Sequence, residues 1–319
     1  MNPLLSTIRA EAFKLIRRRR TYILAALWWL LIPILLLIVA RALQGNLGGS
    51  FVDEEGIIAG VVQSIASPLG LVRANLVGPA LISPTVYIIT AALLAGVLIG
   101  EERSRNMWKT VLTAQHNRVA ILTGKILVAM LFLLIYMVGA MVSGLLFGTV
   151  GMLFLDTTFD LSGWWVTFGH YVLQWSFLLP AILFAFLMVY LFRNVALGMV
   201  SVFFLPALVE GVYSILRAVL DLRPLNRLNA FFQAMELRTT FENLPRYFFT
   251  NNLYAPARQP IGELTAAIGA DIGQMSDDPF TTALLRTDMT LTHSTFVMAG
   301  YAVLFGVLLY LLFLRADVD

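Results

Sequence analysis

The residues able to carry chemistry in this chain are few and scattered. His116, His170 and His293 are far apart, and each falls at the edge of an apolar run. Packing at a membrane boundary explains them better than metal ligation or proton transfer. Cysteine is absent, which removes thiol nucleophiles, thiolate metal sites and disulfides together. Neither H-E-x-x-H nor G-x-S-x-G occurs. Gly124-Lys125 has the ending of a phosphate-binding loop, but Val119 stands where the first glycine belongs, and Ile126 where Ser or Thr is needed. One carboxylate, Glu210, falls inside an apolar run. A charge at the bilayer centre costs about 2.5–3.5 kcal/mol on insertion scales, so one kept there can mark an ion path. Near the outer end of its run, Glu210 reads as a carboxylate reaching water or an outer arginine. The densest polar group is instead Glu101–Lys125, EERSRNMWKTVLTAQHNRVAILTGK, a charged interruption between two long apolar runs.

The chain must place this loop, and its composition says how. Of 319 residues, 59% are hydrophobic and 13% charged, with mean hydropathy +0.82. Soluble domains are about 45–50% apolar and about 25% charged, so this is an all-α integral membrane protein. Apolar runs of about 20 residues span a bilayer core of about 30 Å. Six such spans are expected: 22–40, 78–100, 126–151, 166–192, 195–213 and 293–314. Residues 1–21 precede them as an interfacial helix, with Leu4, Leu5, Ile8, Ala12, Leu15 and Ile16 on one side. Arg9, Glu11, Lys14, Arg17 and Arg18 lie mostly on the other. Residues 57–77 contain Pro68, Arg73 and Asn75, which argue against a span; a re-entrant or surface-bound helix on the outer face is expected. Gly96-x-x-x-Gly100, and the stripe Gly139, Ser143, Gly144 and Gly148, permit close helix approach. Arg193-Asn194 alone separates the fourth and fifth spans. Residues 214–292, rich in Phe, Tyr and Pro, are expected to form a small extracytoplasmic cap between the fifth and sixth spans, with helices over Asn226–Arg238 and Gly262–Met275. The chain closes with the sixth span and a cytoplasmic tail, 293–319.

Charge sets the orientation. Arg17–Arg20 abut the first span, and all three lysines fall on the side assigned to the cytoplasm. Most acids fall outside. Both termini are therefore expected in the cytoplasm of a plasma membrane. The basic pI of about 9.3 reflects this pattern, and no nucleic-acid partner is implied.

Within the loop, Met107, Trp108, Val111 and Leu112 share one helical face, with Arg105, Lys109 and Thr113 elsewhere. Glu101 and Glu102 are expected to precede this helix, where carboxylates suit its positive end. Asn117 is expected to cap the next span. The result is a short amphipathic helix held at the cytoplasmic surface by two spans, 101–125.

At these residues the chain resembles the membrane permeases of type 2 ATP-binding-cassette (ABC-2) transporters. Their loop runs Glu, Gly-Thr, a leucine-rich turn, Pro, Ser-Arg and a later Gly-Lys. Glu102, Leu112, Arg118, Gly124 and Lys125 match; Asn106-Met107 replace Gly-Thr, and Gln115 replaces Pro. Asn106-x-Trp108-Lys109-Thr110 is similar to the bacitracin-resistance and lantibiotic-immunity branch. The resemblance implies a prokaryotic, non-catalytic permease subunit, an exporter, with no cofactor on this chain. ATP and Mg would be held by a partner ABC ATPase dimer. Glu101, Glu102, Asn106, Trp108, Lys109, Leu112 and Arg118 would form the coupling helix that docks on it. It also implies a second permease copy or paralogue, membrane lipid, and room for an extracytoplasmic accessory subunit. A non-transporting scaffold recruiting partners through the cap, and an ion-coupled carrier, are the alternatives. The scarcity of intramembrane charge argues against the carrier.

Overall fold

The computed structural model describes residues 3–47, 62–63, 65–81, 85–104, 117–155, 157–192, 194–220, 241, 243–260 and 290–315. All regular structure among them is helical. Helix α1 is Pro3–Ile16, and α2 covers 19–47 with a π-helical turn at Leu27–Leu31. Helix α3 is Pro68–Leu81, and α4 covers 86–104 with a second π turn at Gly96–Gly100. The long helices α5 (Arg118–Gly151), α6 (Trp164–Leu191) and α7 (Val195–Leu220) follow. The short α8 is Phe249–Leu253, and α9 is Leu291–Arg315.

Five helices are long and apolar enough to cross a membrane: Arg19–Ala42, Arg118–Gly151, Trp164–Leu191, Val195–Arg217 and Leu291–Arg315. The expected span 78–100 is not one helix. Pro79 sits in the last turn of α3, where its ring removes a backbone donor. Helix α4 restarts at Val86 behind an N-cap, the Thr85 hydroxyl accepting from the Ile88 amide. The apolar stretch Val86–Gly100 alone reaches only about 22 Å at 1.5 Å per residue.

Helix α3 does not lie on an outer surface. It packs antiparallel along α5: Pro68 faces Gly148, Val72 faces Gly144, and Asn75 Nδ2 donates to the Ala140 carbonyl at 3.0 Å. A Cβ on Gly148 would meet the Pro68 Cα at 2.5 Å. Gly139 is filled likewise by the Trp29 indole of α2, whose Nε1 donates to the Tyr136 carbonyl. The small-residue stripe of α5 is thus where two neighbours come into backbone range. Gly96 and Gly100 do the same for Met199 and Val195 at the start of α7. Most of α4 is buried among α2, α5, α6 and α7, making it the central strut of the bundle.

Residues 243–260, expected in the outer cap, are inserted between α6 and α9. The Phe249 ring packs on Phe184, Tyr301 and Phe305 at 5.8, 5.3 and 5.8 Å. Buried Gln174 of α6 donates to the Leu253 carbonyl and accepts from the Ala257 amide, satisfying backbone groups where α8 ends. Among hydrocarbon side chains such groups need an internal partner. The helices expected at 226–238 and 262–275 lie outside the described residues.

Candidate functional site

The described parts of the loop are its two ends, 101–104 and 117–125. Asn106, Trp108, Lys109 and Leu112 lie outside the described residues. Glu101 and Glu102 lie in the helical segment Glu101–Ser104 that continues α4, and they bring two carboxylates to this end of the bundle. Cations pair with both. Arg18 Nη2 lies 2.5 Å from Glu101 Oε2, and Arg20 Nη1 lies 3.7 Å from its Oε1. Lys14 Nζ lies 2.9 Å from Glu102 Oε1.

The centre of the site is Lys125, on the second turn of α5. Its side chain is 0% exposed. Its ammonium donates to Glu11 Oε1 on α1, to Glu102 Oε1 at 2.9 Å, and to the Leu98 carbonyl at 2.7 Å. All three N–H bonds are used. Leu98 belongs to the π turn of α4, whose widened register leaves carbonyls free for other donors. Gly124 lets α1 come close enough: a Cβ there would meet Thr7 Cγ2 at 2.8 Å. Gly124-Lys125 is therefore a contact pair, the glycine admitting α1 and the lysine pairing with its carboxylate. Burial alone would raise the pKa of Glu102; Lys125 and then Lys14 outweigh it and hold the carboxyl below its ordinary range.

Arg118 is also engaged within the chain. Its Nη1 donates to the Leu314 carbonyl at 3.0 Å, tying the start of α5 to the end of α9, and the Thr123 and Tyr310 hydroxyls meet at 2.6 Å beside it. Asn117 caps α5 as expected, its Oδ1 accepting from the Ala120 amide at 3.0 Å. Of the expected docking residues, then, the structure brings Glu102 together with α1, Glu101 with the start of α2, and Arg118 with α9.

Glu11, Lys14 and Arg18 were not expected in a site. The available signal was Glu11, a lone carboxylate three residues from Lys14 in an otherwise basic helix. In α1 the buried residues are Thr7, Glu11 and Leu15, whereas Leu5, Phe13 and Ile16 are exposed. The apolar and charged sides expected of an interfacial helix are therefore not cleanly divided: Glu11 and Leu15 face the bundle together, while Leu5 and Ile16 share the outer face with Arg9 and Arg17. Glu210 is also engaged, its Oε1 accepting from the Thr250 hydroxyl of α8. No group of three or more metal-ligating side chains occurs among the described residues.

These features define a multi-pass membrane protein whose polar chemistry is gathered at one end of its bundle. The family model for ABC-2 family transporter proteins matches residues 7–208, more than half of the chain. The chain belongs to that family and is a membrane permease subunit of an ABC transporter. The match contains every member of the Lys125 cluster. No curated protein and no solved structure matches the chain.

Proposed function

We propose that this permease is an exporter subunit of the bacitracin-resistance and lantibiotic-immunity type, driven by ATP hydrolysis on a separate ATPase dimer. Residues 105–116, with Asn106, Trp108, Lys109 and Leu112, dock on that ATPase. ATP and Mg act there. The observation that carries this reading is the ion-paired set Glu11, Lys14, Glu102 and Lys125. It binds both ends of the loop to each other and to α1, so displacement of the loop moves α1, α4 and α5 as one body. Coupling requires such a two-state element that a partner's ligand can bias.

In this reading α3 and α4 together make the sixth crossing. Their contacts run along α5 from Gly148 to Lys125, about 34 Å at 1.5 Å per residue, enough for a hydrocarbon core. Both termini face the cytoplasm of a prokaryotic plasma membrane. The exposed apolar faces of α7 and α9, including Phe204, Leu208, Phe296 and Val303, support a second permease copy or paralogue beside lipid. The experiment is co-purification from native membranes. A tagged chain retains an ATPase, and Trp108→Ala releases it. A chain that never retains one sinks the reading.

A further inference from the structure

Helix α1 has an outer face on which apolar and basic residues are mixed. Leu5, Phe13 and Ile16 are 63%, 54% and 52% exposed, with Arg9 and Arg17 among them. The Arg17 guanidinium lies 4.1 Å above the Phe13 ring. Arg19, Tyr22 and Ile23 extend this exposed surface onto α2 without a break. Every described carboxylate at this end, Glu11, Glu101 and Glu102, is turned inward to Lys14, Lys125, Arg18 or Arg20. Among the described residues, no carboxylate lies within ion-pair distance of Arg9, Arg17 or Arg19. The run Arg17–Arg20 is thus divided by function: Arg18 and Arg20 hold Glu101, while Arg17 and Arg19 face out.

We propose that this face binds anionic phospholipid. Its phosphodiester groups sit on Arg9, Arg17 and Arg19, and its acyl chains lie against Leu5, Phe13, Ile16, Tyr22 and Ile23. Arginine suits the geometry because its stem lies on apolar surface while its head stays at headgroup level. Continuity selects lipid over a soluble ATPase as the occupant. The apolar part of the face runs directly into the exposed side of a helix long enough to cross the membrane, with Leu30, Leu31, Ile34 and Ile38 following. The inference rests on the membrane location of the chain and not on ATPase docking.

The test is titration of the purified full-length chain in neutral detergent with phosphatidylglycerol or phosphatidylcholine, bound lipid being counted by native mass spectrometry. At low salt each arginine near an anionic headgroup contributes about fivefold, so phosphatidylglycerol should bind on the order of 100-fold more tightly. The triple variant R9Q/R17Q/R19Q should lose most of that preference, R9K/R17K/R19K should keep much of it, and Arg217→Gln, at the far end of α7, should change nothing. Equal binding of the two lipids by the wild-type chain overturns the proposal without any variant having to fold. So does a triple variant that loses no more than Arg217→Gln. If R9Q/R17Q/R19Q keeps its lipid preference but drops a co-expressed ATPase, the face belongs to the ATPase and the lipid assignment is wrong. Failure of Trp108→Ala to release the ATPase would leave this inference standing.

Discussion

Lys125 has three N–H bonds and three acceptors on three different turns of chain, and no water-facing surface. Removing one partner of such a set strands the others, at about 3–5 kcal/mol. Lys125→Met should therefore lower the thermal midpoint in detergent markedly, because Glu11 and Glu102 then share the single, partly exposed ammonium of Lys14. The triple variant E11Q/E102Q/K125M should recover much of that loss, since a neutral buried set is often no less stable than a charged one. Transport should not recover if the ion pairs carry the motion. A triple variant as unstable as Lys125→Met would show that the cost lies in packing. Acidity probes the same group. The pKa of Glu102 is lowered on folding, so its contribution is complete above the unfolded carboxylate value of about 4.3 and is lost as pH falls through the lower folded value. Thermal stability should fall below about pH 4, and Glu102→Gln should flatten that part of the profile.

At the scale of elements, α5 is the surface on which the bundle is assembled. Its glycines are spaced so that Trp29 of α2 fills Gly139, while Val72 and Pro68 of α3 fill Gly144 and Gly148. Because Gly148 meets backbone and not the tip of a side chain, Gly148→Val has nowhere to relax and should cost about 1–3 kcal/mol or more. Gly169 of α6 has nothing within 4 Å of an added Cβ. Gly169→Ala should therefore be neutral or gain up to about 1 kcal/mol from helix propensity. Parallel thermal scans of the two variants separate close packing from a general dislike of side chains in these helices. Much of this was legible beforehand: the stripe, the pair Gly96 and Gly100, the hairpin between α6 and α7 and the Asn117 cap all follow from local residue type. The break between α3 and α4 was not, because 78–100 is uniformly apolar and hydropathy does not register a change of axis. Nor was the insertion of 243–260, since its aromatic residues suit an outer cap as well as a slot between α6 and α9.

For the whole molecule, orientation is the open quantity, and the absence of native cysteine makes it measurable without background. Single cysteines at Ser162, between α5 and α6, and at Gln63, before α3, should react with an impermeant thiol reagent added outside intact cells. Those at Ser6 and Ser104 should react only after permeabilisation. If Gln63→Cys and Ser104→Cys label from the same side, α3 and α4 do not cross together and the bundle has five crossings.

The sequence by itself determined the solvent, the approximate spans and the loop that carries the family pattern. Each of these is a property of local composition or short spacing. Tertiary structure alone decided which way the polar groups face. Glu11 and Lys125 are 114 residues apart, and nothing local to either names the other as its partner. Amphipathic reasoning places the apolar residues of α1 on one side and most charges on the other, because it weighs the helix against lipid and water alone. Here the exposed side is proposed to meet lipid, where leucine and phenylalanine lose nothing, while buried carboxylates find ammonium groups waiting. Which residues turn inward depends on partners that the helix meets only after the bundle has closed.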